Sequence, residues 1–242
     1  MSLSPVEIAD QLSEAVGSFE CGEPVTHVYN PLAYARPLHH AYLERFASKT
    51  PREIVLVGMN PGPWGMAQTG VPFGDVDFVG DWMDLHAEVG KPADEHPKRQ
   101  IEGLECSRNE VSGSRLWGWA RDRYGAAENF FERYFVHNYC PLLFLEDSGR
   151  NRTPNRLKAA ERRELFEPCD RALRQLVDRL EPTYVIGVGA FATKRVKAAL
   201  GPFDGQMPTI GRILHPSPAS PKANRGWAEQ AEAELREAGV QI

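Results

Sequence analysis

Cysteine is scarce. There are four in 242 residues (Cys21, Cys106, Cys140, Cys169), widely spaced and with no Cys-x-x-Cys pair. That excludes a disulfide scaffold and a cysteine-based zinc site, and implies reduced, mostly buried thiols. No apolar run approaches the ~18–20 residues of a membrane span, and the first residues show no charged-then-apolar leader pattern. The chain has no Gly-x-x-x-x-Gly-Lys-[Ser/Thr], which excludes P-loop phosphate chemistry, and no Gly-x-Ser-x-Gly elbow for a serine hydrolase. It has no His-Glu-x-x-His either, and helical neighbours such as His39 and His40 point about 100° apart. They are read as surface or half-buried histidines, not metal ligands. An excess of positive charge is also missing. The formal net charge of −5 excludes a general polyanion coat but not a local basic face. With no internal repeat, low-complexity tract or Gly/Ser linker, residues 1–242 read as a single domain, cytosolic or nuclear, with no metal or cofactor implied.

Glycine and proline are concentrated at one place. The apolar run Ile54-Val55-Leu56-Val57 meets Gly58 and then a loop, to residue 74, holding four more glycines and three prolines. Four β-branched or aliphatic residues stopped by Gly/Pro make a short buried strand. A connector of roughly 16 residues after it is uncommon in a compact domain unless it is functional. Ligands of open α/β sheets sit beyond the carboxyl ends of the strands, so Asn60 in this loop is a candidate site residue.

The rest of the chain alternates. Ser4 and Pro5 open a helix over 4–17, and another covers 37–48. Residues 78–83 are helical; 86–109 are polar, mixed in charge and read as irregular surface. Ser114 caps a helix over 115–124, 128–134 adds another, and a second buried strand ends near Asn138. The segment 146–156 is an exposed basic loop, followed by a helix over 159–180 that Pro168 kinks or divides. Strands over 183–188 and 209–214 flank a helix over 190–200, and a last helix over 223–238 stops at Gly239. Alternation of this kind gives a parallel sheet covered on both faces. Gly187-x-Gly189-x-x-Ala192 has the outline of a dinucleotide fingerprint. Position 207 is Met where an acid is required, and the nearest acid, Asp204, precedes the next strand, so it reads as a tight strand-to-helix turn.

Three strands therefore end in Asn60, Asn138 and His215, which the topology brings to one crevice. Two amides and an imidazole suit a planar hydrogen-bonding ligand such as a base, and Phe73 on the Asn60 loop can stack on it. Ser217 lies too close to two prolines for a hydrolytic triad. The stretch HPSPASPKANRGW at 215–227 forms a rigid turn with Lys222 and Arg225 on its flanks. Arg150, Arg152, Lys158, Lys194, Arg195 and Arg212 are candidates for the same basic face, a groove that tracks phosphates.

GMNPGPWGMAQTGVPFG at 58–74, LECSRNEVSGSRLWGW at 104–119, FVHNYCPLLFL at 135–145, SGRNRTP at 148–154 and HPSPASPKANRGW at 215–227 resemble the single-strand-selective monofunctional uracil-DNA glycosylases, of the uracil-DNA glycosylase superfamily. The resemblance implies a three-layer α/β/α domain with a four-stranded parallel sheet and removal of uracil from DNA without strand cleavage. By that resemblance Asn60 positions the attacking water and His215 hydrogen-bonds uracil O2 as charge develops there. Asn138 reads the base edge, Phe73 stacks under it, and the backbone at Met59 and Gly62 lines the pocket, with room for 5-substituents. Ser217, Ala219, Lys222 and Arg225 are expected to meet the DNA. Two departures stand out: Ala219, where vertebrate members carry arginine in the wedge loop, implies a preference for single strands and mismatches, and Trp64 replaces a common phenylalanine. A shifted substrate (xanthine or hypoxanthine) and a silent binder of damaged DNA are the alternative readings. Nothing in the sequence suggests an obligate oligomer.

Overall fold

Ser4 makes a capping box with Glu7, its hydroxyl accepting from the Glu7 N–H at 3.2 Å while the Glu7 carboxylate takes the Ser4 N–H at 2.7 Å. This starts α1 (Pro5–Ala15) in a computed structural model that describes residues 3–201 and 207–242. Asp204 lies outside the described residues. Then follow β1 (Val25–Tyr29), α2 (Pro31–Tyr34), α3 (Arg36–Phe46), β2 (Ile54–Gly58), α4 (Met66–Thr69), α5 (Val111–Tyr124), α6 (Ala127–Arg133), β3 (Tyr134–Asn138) and β4 (Leu143–Glu146). The last part holds α7 (Ala159–Leu180), β5 (Tyr184–Val188), α8 (Ala190–Ala199), β6 (Thr209–Ile213) and α9 (Trp227–Glu237).

Four strands form one parallel sheet in the order β3-β2-β5-β6. All five residues of β2 are buried, so helices cover both faces, as expected of a continuous apolar strand in a parallel sheet. On the side of β5 and β6, α8 packs with α7, and α7 with α1; α9 packs against β6 and α5. At Gly187, one residue before the end of β5, a Cβ would lie 2.4 Å from the Thr193 backbone nitrogen, so the glycine lets α8 approach the strand closely and the motif is a tight strand–helix turn.

Several expectations need correction. β1 and β4, neither of them expected from the sequence, pair antiparallel, and Tyr29, Ala67, Ile101, Leu143 and Leu145 form a small second core beside them. That core draws in the 86–109 segment, which is irregular but not all surface: His96, Ile101 and Cys106 are buried, and Tyr29 Oη donates to the Arg99 carbonyl and accepts from the His96 N–H. The helix read as starting after Ser114 begins at Val111, and the Ser114 hydroxyl donates to Asp75 at 2.7 Å from within its first turn. Pro168 does not divide α7, which runs unbroken for 22 residues along α1 and α8. Of the candidate cations, Arg195 is folded inward against Asp170, the Tyr139 hydroxyl and the Phe166 ring, and Arg152 is tied to Glu146. Neither is free to meet a phosphate.

His39 is not a surface residue. It is 4% exposed, with Nδ1 2.7 Å from the Gly70 carbonyl, and burial pushes its pKa down to about 4. His40 instead meets Asp10 at 2.9 Å. The folded chain keeps His39 neutral, whereas the unfolded chain binds a proton below its ordinary pKa near 6.5. Stability therefore falls as pH drops from about 6.5 to 4 and levels off below, by about 3 kcal/mol for this residue. His137 is shifted in the same direction, to about 3. Urea midpoints measured across that window are expected to drop with pH in the wild type and to follow a flatter course in His39→Gln.

Candidate active site

The cleft lies beyond the carboxyl ends of β2, β3 and β6, has a volume of about 400 Å³, and is bordered by Met59, Asn60, Gly62, Phe73, Asn138 and His215 among others. The sheet register fixes two of these. Gly58 pairs with Asn138, and the pairing continues past the strands through Tyr139 N–H to the Gly58 carbonyl (3.0 Å) and Cys140 N–H to the Met59 carbonyl (2.9 Å). His215 is brought in by the Gly189 N–H, which donates to the Ile213 carbonyl at 2.8 Å. Gly189 has φ +91, and a Cβ there would lie 3.2 Å from that of His215. Glycine serves both the turn and the close approach.

Each polar group is left with capacity to spare. Asn60 Nδ2 donates to the Leu142 carbonyl at 3.2 Å, which orients the amide and leaves Oδ1 without a partner among the described residues. Asn138 is 4% exposed; among the described residues its Nδ2 has only the Met66 sulfur at 3.1 Å, and its buried Oδ1 has no partner. Burial with no compensating carboxylate pushes the His215 pKa down to about 4, so the imidazole is neutral at physiological pH. Its ring centroid is 5.9 Å from that of Phe73, with the planes tilted 42°. Phe73 itself has φ 55, a strained conformation for an aromatic residue. Trp117 Nε1 and the Asp75 N–H, donating to its carbonyl at 3.0 and 2.8 Å, hold it there.

Sequence reasoning missed Glu110 and Asn151. Both border the cleft, and both carry a buried oxygen without a partner among the described residues, Glu110 Oε2 and Asn151 Oδ1. Glu110 Oε2 occupies the place of a side chain on Gly62: a Cβ there would fall 2.2 Å from it. Burial raises the Glu110 pKa against the pull of the Trp64 and Ser112 N–H groups. The sequence carries no signal for this, since Glu110 falls between the 86–109 segment and the helix read as starting after Ser114. Together with Asn138 Oδ1, three unpaired buried oxygens face one space. Each costs roughly 1–3 kcal/mol until a donor, a ligand N–H or a water, meets it, so the cleft is suited to a polar ligand.

The loop after His215 divides. Ser217 lines the cleft, while Ala219, Lys222 and Arg225 are exposed outside it. Arg115 on α5, unremarked in the sequence, holds this loop: Nη1 donates to the Pro216 and Ser217 carbonyls at 3.2 and 3.3 Å, and Nη2 to Asn224 Oδ1 at 2.8 Å.

Comparison with known proteins agrees with this geometry. The model of the uracil DNA glycosylase superfamily matches residues 46–236. The chain is 46% identical over 230 residues to the single-strand selective monofunctional uracil-DNA glycosylase of Rattus norvegicus, covering 95% of this chain and 82% of that protein. Those of Bos taurus and Mus musculus are also 46% identical over 95% of the chain, with 84% and 82% of their own lengths covered. In fold it is similar to the crystal structure of wild-type SMUG2 from Pedobacter heparinus, at a TM-score of 0.64 and 16% identity over 96% of this chain and 98% of that one. A match running from the end of α3 to the end of α9, joined to this identity, takes in every element that shapes the cleft: the chain belongs to the uracil-DNA glycosylase superfamily.

Proposed function

We propose that the chain is a monofunctional DNA glycosylase that hydrolyses the N-glycosidic bond of uracil, and of 5-substituted uracils, to leave an abasic site in base excision repair. The observation that supports this most directly is the convergence of Asn60, Asn138, Phe73 and His215 on one cleft, with Asn138 Oδ1 unpaired among the described residues and its Nδ2 meeting only a thioether sulfur. Asn138 Oδ1 accepts the N3–H of uracil and Nδ2 donates to O4, while Phe73 packs on the ring. Breaking the bond leaves cationic character on the sugar and negative charge on the base. A neutral His215 donates to O2 as that charge grows, a contribution of about 3–4 kcal/mol for one well-placed donor in a dry site. Asn60 Oδ1 accepts from a water and aims it at the sugar carbon. A neutral amide is no base, and a dissociative path needs little nucleophilic push. No step calls for a metal or cofactor. The enzyme works as a single-domain monomer wherever DNA is held, nucleoid or nucleus.

Ala219 sits exposed at the tip of the loop after His215, with only a methyl group, too small to fill the space of an extruded base. Flipping costs least from single strands and mismatches. Base release, scored by alkali cleavage of labelled oligonucleotides, is expected to be fastest on single strands, slower on U:G and slowest on U:A. Equal rates on all three would refute the preference. No release from uracil in any of them would refute the substrate, and xanthine and hypoxanthine oligonucleotides would be tried next.

A further inference from the structure

The loop that carries Asn60 continues into Trp64, and two arginines from a distant segment meet on that ring. The guanidinium carbons of Arg99 and Arg108 both lie 4.9 Å from the Trp64 ring centroid. Two like charges therefore stand within about 10 Å of each other, where self-repulsion opposes them. Cation–π attraction of about 0.5–1 kcal/mol each at an exposed site holds them to the ring. It supplies no counter-charge. Of the acids in the adjoining segments, Glu95 pairs with Lys91 at 3.3 Å and Glu146 with Arg152 at 3.0 Å, while Glu102, Glu105 and Glu110, the last of which takes the Trp64 N–H, form no ion pair with either arginine among the described residues. Among the described residues, Arg99 spends one N–H on the Lys98 carbonyl, and Arg108 makes no ion pair. Arg99 also abuts the basic 148–154 loop: a Cβ on Gly149 would lie 3.4 Å from its Cζ, and exposed Arg150 follows directly. The result is a cationic ridge, Arg108–Trp64–Arg99–Arg150, on a chain whose net charge is −5.

The ridge has a definite place. Pro63, one residue before Trp64, and Asn151, one residue after Arg150, both line the cleft. The loop with Ala219, Lys222 and Arg225 departs from the cleft at Ser217 and Pro218. The geometry points to a phosphate-binding site, formed by Arg99 and Arg108 on Trp64, for the stretch of DNA strand on one side of the extruded nucleotide. This rests on the proposal that the cleft takes a base from DNA. Trp64 is a positioning residue here. It fixes two guanidiniums so that little rotamer freedom is lost when adjacent phosphates of one strand arrive. Such contacts carry no sequence information and set affinity and register.

The test is binding of a uracil-free, labelled single-stranded oligonucleotide by fluorescence anisotropy at several salt concentrations, alongside single-turnover base release from its uracil counterpart. Arg108→Gln is expected to raise Kd about three- to tenfold and to flatten the slope of log K against log salt by about 0.7, the value for one phosphate contact on a single strand. Arg108→Lys keeps the slope, and Trp64→Leu keeps the slope but raises Kd about threefold. The rate of base release at saturating enzyme stays at the wild-type value in all three. With oligonucleotides that end at the uracil, the Arg108→Gln defect should vanish for one polarity of truncation and persist for the other. An unchanged salt slope in Arg108→Gln, or a defect that survives both truncations, would overturn the site. Failure of the wild type to release uracil would instead overturn the glycosylase reading while leaving the binding measurement to judge the ridge.

Discussion

His215→Ala is expected to lower single-turnover base release by about 10²–10³-fold while binding of the uracil oligonucleotide changes little. The magnitude is that of one lost donor to a developing oxyanion in a site closed to bulk water. The sign of the His215 shift makes the prediction sharper. Burial pushes its pKa down to about 4, so over pH 5–9 the ring is neutral and, in the proposed role, would donate a hydrogen bond without delivering a proton. The His215-dependent part of the rate is thus flat across that range and changes only near pH 4. A steep rise of rate between pH 8 and 6, lost in the variant, would show instead that an imidazolium protonates the base. Asn60→Ala should be as severe for a different reason. The Asn60 amide both presents Oδ1 to the cleft and ties its loop to the Leu142 carbonyl at 3.2 Å, so the variant loses the water and the tether together. Two such losses in one transition state are not additive, and the double variant is expected to be scarcely worse than either single one.

How much of this was legible in the sequence depends on the length over which a residue's partners are spread. The four sheet strands and most helices carry periodicity and sharp Gly/Pro stops and fold close to where the pattern puts them, although α5 begins four residues early, at Val111, and α9 four residues late, at Trp227. Asn60, Asn138 and His215 were visible because each follows an apolar strand, and parallel topology sends such positions to one edge. β1 and β4 were not, because each takes its meaning from the other across more than a hundred residues and from Tyr29 and Leu145 packing on a segment with no pattern of its own. Arg195 looked like a DNA contact because charge in a sequence says nothing about the Asp170 that neutralises it. Glu110 was invisible for the complementary reason. Its place in the cleft is created by what Gly62 and Gly65 lack: a Cβ on either would lie 2.2 or 2.8 Å from its side chain.

Absence of side chain decides the last large effect as well. Gly58→Ala is expected to abolish most activity, by about 10²-fold or more, in a protein that stays folded. A Cβ at Gly58 would lie 2.2 Å from Asn138 Oδ1 and 2.5 Å from the edge of the Phe73 ring. Both are the far ends of side chains, so the clash is relieved by turning them aside, with no shift of the β2–β3 ladder on which Gly58 and Asn138 are paired. The backbone of Gly58 is held by its carbonyl bond from the Tyr139 N–H at 3.0 Å, which alanine retains. The two groups displaced are the ones assigned to reading and stacking the base, and displacements of about 1 Å in such groups cost about 10²-fold. Gly80→Ala is the matched control, since the nearest atom to its added Cβ is His86 Cε1 at 3.9 Å. A thermal melt near that of the wild type, joined to weak uracil release, is the expected pair of results for Gly58→Ala. Full activity would mean that Asn138 and Phe73 do not meet the base where the cleft places them, and a collapse of the melt would mean that the site and the sheet cannot be separated at this residue.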